Sequence, residues 1–180
     1  MLVLASRVVQ ATTQSPFIAR RAFRPSHPVL MAKKRKLDSP AVDGQFWLLK
    51  SEPDDYSIDM LQRDGFTCWD GVRNVVARKN LRAMLQGDSC LFYHSSCGKN
   101  VGVVGTCTVK RTAYPDPADA KWAVVDVEFG AKFSQPLLLP ALKAEQDGRL
   151  SGMALFRQPR LSVQPVSADH YNEILRMVEE

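Results

Sequence analysis

The sequence predicts one α+β domain of the barrel-like kind, preceded by a basic leader. Three observations carry this expectation. Short apolar runs of strand type are mixed with short amphipathic runs of helix type, without the regular alternation of a parallel βαβ sheet. The chain has 180 residues and 45% hydrophobic content, which suits one core of ordinary size. No apolar run approaches the ~20 residues of a membrane helix, since MLVLASRVV is already interrupted at Arg7. No internal repeat is present.

Residues 1–44 read as a disordered basic leader, and residues 45–180 as the folded domain. Arg7, Arg20, Arg21 and Arg24 are interleaved with Ser, Thr and Ala, and no acid precedes Asp38, the composition of a mitochondrial presequence. A second address competes. Lys33, Lys34, Arg35 and Lys36 form a compact basic cluster of the nuclear-import kind, and translation from Met31 would leave it near a free N-terminus. The nucleus is the expected location, with the mitochondrion as the alternative; a solvated tail without an address is the plainest reading.

Charge separates the two regions. Residues 1–40 carry eight Lys or Arg and one acid, a net of +7, whereas the remainder carries 16 against 18, a net of −2. A domain that bound duplex backbone through many phosphate contacts would itself be basic. Recognition by the folded part must therefore rest on a local pocket, with a shallow salt dependence that the tail would steepen.

Order is expected from Phe46. Phe46-Trp47-Leu48-Leu49 reads as a buried strand ending in the polar turn Lys50 to Asp55. Ser57 caps a short helix carrying Ile58, Met60 and Leu61. Residues Asn74 to Leu85 place Val75, Val76, Leu81, Met84 and Leu85 at helical spacing, with Arg78, Lys79 and Arg82 outward. Gly87-Asp88 stops that helix before a strand from Ser89 to Ser95. A strand from Val101 to Val109 follows, where Gly102 and Gly105 signal a bulge or a close backbone approach. Trp122 to Phe129 alternates as a strand, Leu138 to Ala144 is a short helix or turn, and Leu155 to Pro165 holds a further strand. Ser167 caps a closing amphipathic helix built on Tyr171, Ile174, Leu175 and Val178.

Two clusters carry candidate chemistry. Trp69, Asp70, Gly71, Val72, Arg73 and Asn74 put an aromatic face, an acceptor and donors together just before a helix. A base-binding pocket needs that set, a π-platform with polar groups for the base edge. The same residues also make a core anchor, a turn and a helix cap, and the residues alone leave both readings open. Tyr93, His94 and Ser95 surface at a strand end, where they line a pocket more economically than they form a catalytic group, because no nucleophile elbow is present. Cys68, Cys90, Cys97 and Cys107 match no zinc spacing, so neither a metal site nor a disulfide framework is expected. No P-loop, GxGxxG, HExxH, kinase or deaminase pattern occurs, and no cofactor is expected. The competing reading is an enzyme acting on nucleotides or modified bases, with His94 and the Glu52 and Asp70 carboxylates as acid–base groups.

Six ordered blocks complete the reading: FWLLKSEPDDYSID, WDGVRNVVARKNLRAM, GDSCLFYHS, GVVGTCTV, AYPD and MALFRQPRLSVQPVS. Together they resemble the signature blocks of the EVE domain, in its thymocyte nuclear protein group, over residues 46–180. The resemblance implies a PUA-like fold, a strongly bent β-barrel surrounded by short helices. It implies a non-catalytic reader of a modified base, modified cytosine in DNA before RNA. A monomer is expected, and the lack of a long apolar run argues against a membrane partner. By comparison with the related YTH readers of methylated adenine, Lys50, Ser51 and Glu52 match the pocket rim and Trp69 the stacking aromatic. Asp70, Arg73 and Asn74 match the adjoining wall, and Tyr93, His94 and Ser95 the opposite one. Met153, Leu155, Arg157 and Gln158 match a closing segment. The chain departs from its relatives between Asp116 and Trp122, where only residues 117–121 stand in place of a longer insertion.

Overall fold

In the computed structural model, which describes residues 46–180, the apolar run at Phe46 forms β1 (Phe46–Ser51) in the interior of the sheet. Both faces of β1 are covered, as its unbroken apolar character requires: Trp47 and Leu49 enter one core, Leu48 the other. β1 pairs in parallel with β3 (Ser89–His94) and antiparallel with β6 (Val163–Val166). The parallel pair demands a long crossover, and it holds α1 (Ile58–Asp64), β2 (Phe66–Trp69) and α2 (Val75–Ala83). Next to β3 lies β4 (Gly102–Pro115), then β5 (Ala123–Leu138), then β2, giving the strand order β2-β5-β4-β3-β1-β6.

The expected barrel is realised as an open, strongly bent sheet with β2 and β6 as its edges. Trp69 on β2 meets Phe92 on β3 edge-on at 5.4 Å although β5 and β4 lie between them, so the β2 edge folds back over the sheet. Register shifts along β4 supply the bend, among them those between Val103 and Gly105 and between Val109 and Arg111. Gly102 and Gly105 are the close approach that the sequence signals. A Cβ at Gly105 would sit 2.3 Å from the Ala131 carbonyl oxygen, and one at Gly102 2.4 Å from that of Leu137.

One core lies under α1 and α2, where Ile58, Leu61, Ala77 and Leu81 pack on Trp47, Leu49, Phe92 and Val125. The other lies under α3 (Leu139–Ala144), α4 (Ala154–Arg157) and α5 (Ala168–Glu179), where Leu142, Leu155, Tyr171 and Ile174 cover Leu48, Leu91 and Val103. The three expected caps form. Ser57 accepts from the Met60 amide at 3.2 Å, Asn74 from Val76 and Ala77 at 2.8 and 3.0 Å, and Ser167 from His170 at 3.2 Å.

Three readings change. Val75 and Val76 leave the apolar stripe, which runs instead through Ala77, Leu81 and Met84. Leu155 belongs to the single turn α4, because Pro159 interrupts the segment and β6 starts only at Val163. The strand expected over 122–129 continues to Leu138, its polar second half held by pairing with β4. The leader, with Arg7 to Arg24 and Lys33 to Arg35 and Lys36, lies outside the described residues.

Candidate ligand-binding cleft

Where the bent sheet fails to close, a cleft of about 670 Å³ opens between its two edges. Lys50, Ser51, Glu52, Asp55 and Tyr56 form one wall with Ser162, which precedes β6. Thr67, Cys68 and Trp69 of β2 form the other, and Asp70 to Asn74 close the end towards α2.

The first wall is rigid because its polar groups are spent locally. The Ser51 hydroxyl donates to the Tyr56 carbonyl at 2.7 Å, and the Glu52 carbonyl accepts from the Asp55 and Tyr56 amides at 3.0 and 2.9 Å. The Ser95 amide donates to the Ser51 carbonyl at 2.9 Å, and the Ser96 hydroxyl to Glu52 Oε1 at 2.8 Å. Ser95 thus supports the rim from behind. Strand alternation sends the Lys50 side chain to the face of Leu48 and Tyr93. Its ammonium donates to the Pro159 carbonyl at 2.8 Å and lies 5.3 Å from the Tyr93 ring centre, and burial pulls its pKa down to about 8.

Trp69 belongs to both core and cleft: only 6% of it is exposed, and it packs on Phe92. Behind β2, the Tyr114 hydroxyl donates to Asp126 Oδ1 at 2.6 Å and sits 3.3 Å from Cys68 Sγ. Burial raises the Cys68 pKa, which favours the protonated thiol.

At the α2 end, the short loop after β4 grips the wall. The Asp116 carboxylate is buried, accepts from the Ala118 amide at 2.9 Å and pairs with Arg73 at 3.2 Å. Those partners, the Ala118 amide first, hold its pKa below the usual carboxylate range. Arg73 and Arg78 lie 5.4 and 5.0 Å from the Trp122 ring, and Arg78 donates to the Lys121 carbonyl at 2.9 Å. Asp116 and Trp122, which flank residues 117–121, therefore fix the direction of Arg73. Asn74 Oδ1 is used by the helix cap, which leaves the side-chain NH₂ as the donor at the cleft.

The remaining candidates lie elsewhere. Tyr93 is buried in the second core, where burial pushes its phenol up to about 12. His94 Nε2 accepts from the Ile58 amide at 3.2 Å, tying β3 to the start of α1. That bond requires a neutral ring, and burial lowers the His94 pKa accordingly. Met153 and Leu155 fill the second core, while Arg157 is exposed beside Gly152. Gln158 ends α4, its carbonyl accepting from Gln164 at 2.8 Å. The chain after α4 reaches the cleft through Ser162 instead. Tyr56, Thr67, Cys68 and Ser162 escaped sequence reasoning; alternation back from Trp69 was a signal that could have found Thr67. Among the described residues, no group of three or more His, Cys, Asp or Glu is placed to hold a metal.

The EVE domain model matches residues 45–177, well over half of the sequence. The chain belongs to the EVE domain family. Mouse thymocyte nuclear protein 1 is 36% identical, with 74% of each protein covered. A hypothetical protein of Leishmania major is 45% identical with a TM-score of 0.69, covering 74% of this chain and 94% of that one. The human THYN1 protein, solved in complex with 5-methylcytosine-containing DNA, is 33% identical with a TM-score of 0.70, covering 75% of this chain and 98% of that one. The mixed sheet and flanking helices of this EVE domain are thus the family's architecture, built at an identity where the fold is shared throughout.

Proposed function

We propose that this EVE domain is a non-catalytic DNA-binding reader that holds one modified base, 5-methylcytosine, in the cleft between the sheet edges. The observation that carries the reading is the composition of that cleft. One opening holds an indole wall at Trp69, donors from Arg73 and Asn74, and the Glu52 and Asp70 carboxylates as acceptors. A base needs a flat apolar surface and edge-reading groups of both kinds. The human relative solved with 5-methylcytosine-containing DNA supports the choice of base and of DNA over RNA.

Magnitudes limit the selectivity. Stacking contributes about 1–3 kcal/mol per base, and turning a paired base out of the duplex costs a similar amount. The added methyl then decides, contributing about 1–3 kcal/mol, so preference over cytosine is about 10–200-fold.

The enzyme alternative needs a proton-transfer group beside the Glu52 and Asp70 carboxylates. His94 is bonded to the Ile58 amide and does not line the cleft, which favours the reader. Location in the nucleus, through Lys33 to Lys36, agrees with the names of the thymocyte nuclear protein relatives. The protein acts as a monomer, as light scattering would check.

The test is binding of the full chain to matched oligonucleotides carrying cytosine or 5-methylcytosine, so that the basic leader contributes equally to both. Trp69→Phe keeps the core contact with Phe92 and removes half of the aromatic platform. A methyl preference that Trp69→Phe reduces supports the reader; equal affinity for both oligonucleotides overturns it, and turnover of either oligonucleotide that His94→Ala abolishes establishes the enzyme.

A further inference from the structure

The first turn of α2 exposes two valines that contribute nothing to the core: Val75 is 63% and Val76 51% exposed. Phe66, another exposed large hydrophobic, lies beneath the Lys110 ammonium at 4.1 Å. The two valines follow directly on Asn74, which lines the cleft. Their surroundings are cationic. Between Asp70 and Asp88 the chain carries Arg73, Arg78, Lys79 and Arg82 and no acid, and Lys79 and Arg82 share the exposed side of the helix with the valines. The opposite rim of the cleft is acidic, with Glu52, Asp54 and Asp55 all exposed. A polyanion crossing the cleft is therefore drawn to the α2 rim and kept off the other.

We propose that Val75 and Val76 form a wedge that α2 presents to duplex DNA, filling the gap in the base stack when the neighbouring base turns into the cleft. The inference rests on the base-reading function proposed above and assigns it a duplex substrate. A base that leaves the stack exposes the apolar faces of its neighbours, and a short apolar side chain covers them without competing for hydrogen bonds. Valine suits the role because its branched side chain holds one rotamer in a helix and loses little entropy on contact. A single-stranded base offers no such gap, so the wedge contributes only on duplexes.

The experiment compares the full chain with V75S/V76S and V75I/V76I on one oligonucleotide carrying 5-methylcytosine or cytosine at the same position, each as a single strand and as a duplex. Circular dichroism melting reports folding, and both sites are exposed. Loss of the apolar cover should weaken duplex binding about tenfold in V75S/V76S and leave the single strand within about twofold, with V75I/V76I close to wild type. Equal loss on both forms, or no loss on the duplex, overturns the wedge while leaving the reader intact. If the wild-type chain shows no methyl preference even on the single strand, the reader fails and the wedge with it.

Discussion

The two faces of the sheet carry cores of similar chemistry but end differently. The face under α3, α4 and α5 is sealed. Leu142, Tyr171 and Ile174 cover it, and Arg149 ties the loop after α3 to α5 through Glu145, Glu173 and Glu180. The face under α1 and α2 is built around larger aromatics, Trp47, Trp69 and Phe92, yet it stays open where β2 and the β1–β6 edge fail to pair. The difference teaches where binding resides. A closed barrel would spend its edge groups on the ladder; this sheet leaves them around a cleft and sets a core tryptophan in its wall.

Substitutions on the two faces should therefore separate stability from binding. Trp69→Ala should have the largest effect, because the residue serves both: about 3–5 kcal/mol of stability by urea unfolding, with loss of methyl-dependent binding. Ile174→Ala on the sealed face should cost about 2–5 kcal/mol and leave oligonucleotide affinity of the folded protein unchanged. A loss of affinity there would mean that the faces are coupled. Trp47→Phe tests a buried polar anchor on the open face. The indole N–H donates to Asp88 Oδ2 at 2.9 Å, and removing it should cost about 1–3 kcal/mol without altering base preference.

Ser51→Ala should be milder, about 0.5–1.5 kcal/mol, since the bond to the Tyr56 carbonyl is lost with only a long contact to the Glu52 carbonyl beside it, but it should weaken binding by loosening the rim. The smallest effect concerns pH. Burial lowers the His94 pKa, with Asp59 opposing and Lys132 adding to the shift. The unfolded chain then takes up a proton that the folded chain refuses, so stability falls as pH drops through the ordinary histidine value near 6.5 towards the lowered one. His94→Gln keeps an acceptor for the Ile58 amide without titrating. The dependence of the melting temperature on pH below neutrality should become shallower in that variant.

Sequence reading succeeded where a local rule decides the outcome. Ser57, Asn74 and Ser167 cap helices because each needs only its own next turn, and Gly102 and Gly105 mark a backbone approach that excludes any Cβ. Where the outcome depends on distant partners it failed. β2 is four residues long and is a strand only because β5 pairs with it. Leu155 sits in a helical turn because the sealed core takes it there, and the donor to His94, the Ile58 amide, comes from another element. Lys50 was half legible: the turn is at the cleft, but strand alternation carries its side chain to the face of Leu48 and Tyr93. For the α2 end, Trp69 to Asn74 were recognisable as a group, whereas the hold of Asp116 and Trp122 on Arg73 needed the fold.

The most direct measurement follows the indole N–H resonances of the three tryptophans while 5-methylcytosine oligonucleotide is added to the full chain. A base held between the sheet edges should shift Trp69 strongly and Trp122, beside Arg73, moderately, and leave Trp47, bonded to Asp88, in place. Saturable binding that shifts Trp122 but not Trp69 would place the DNA on the surface and contradict a base in the cleft.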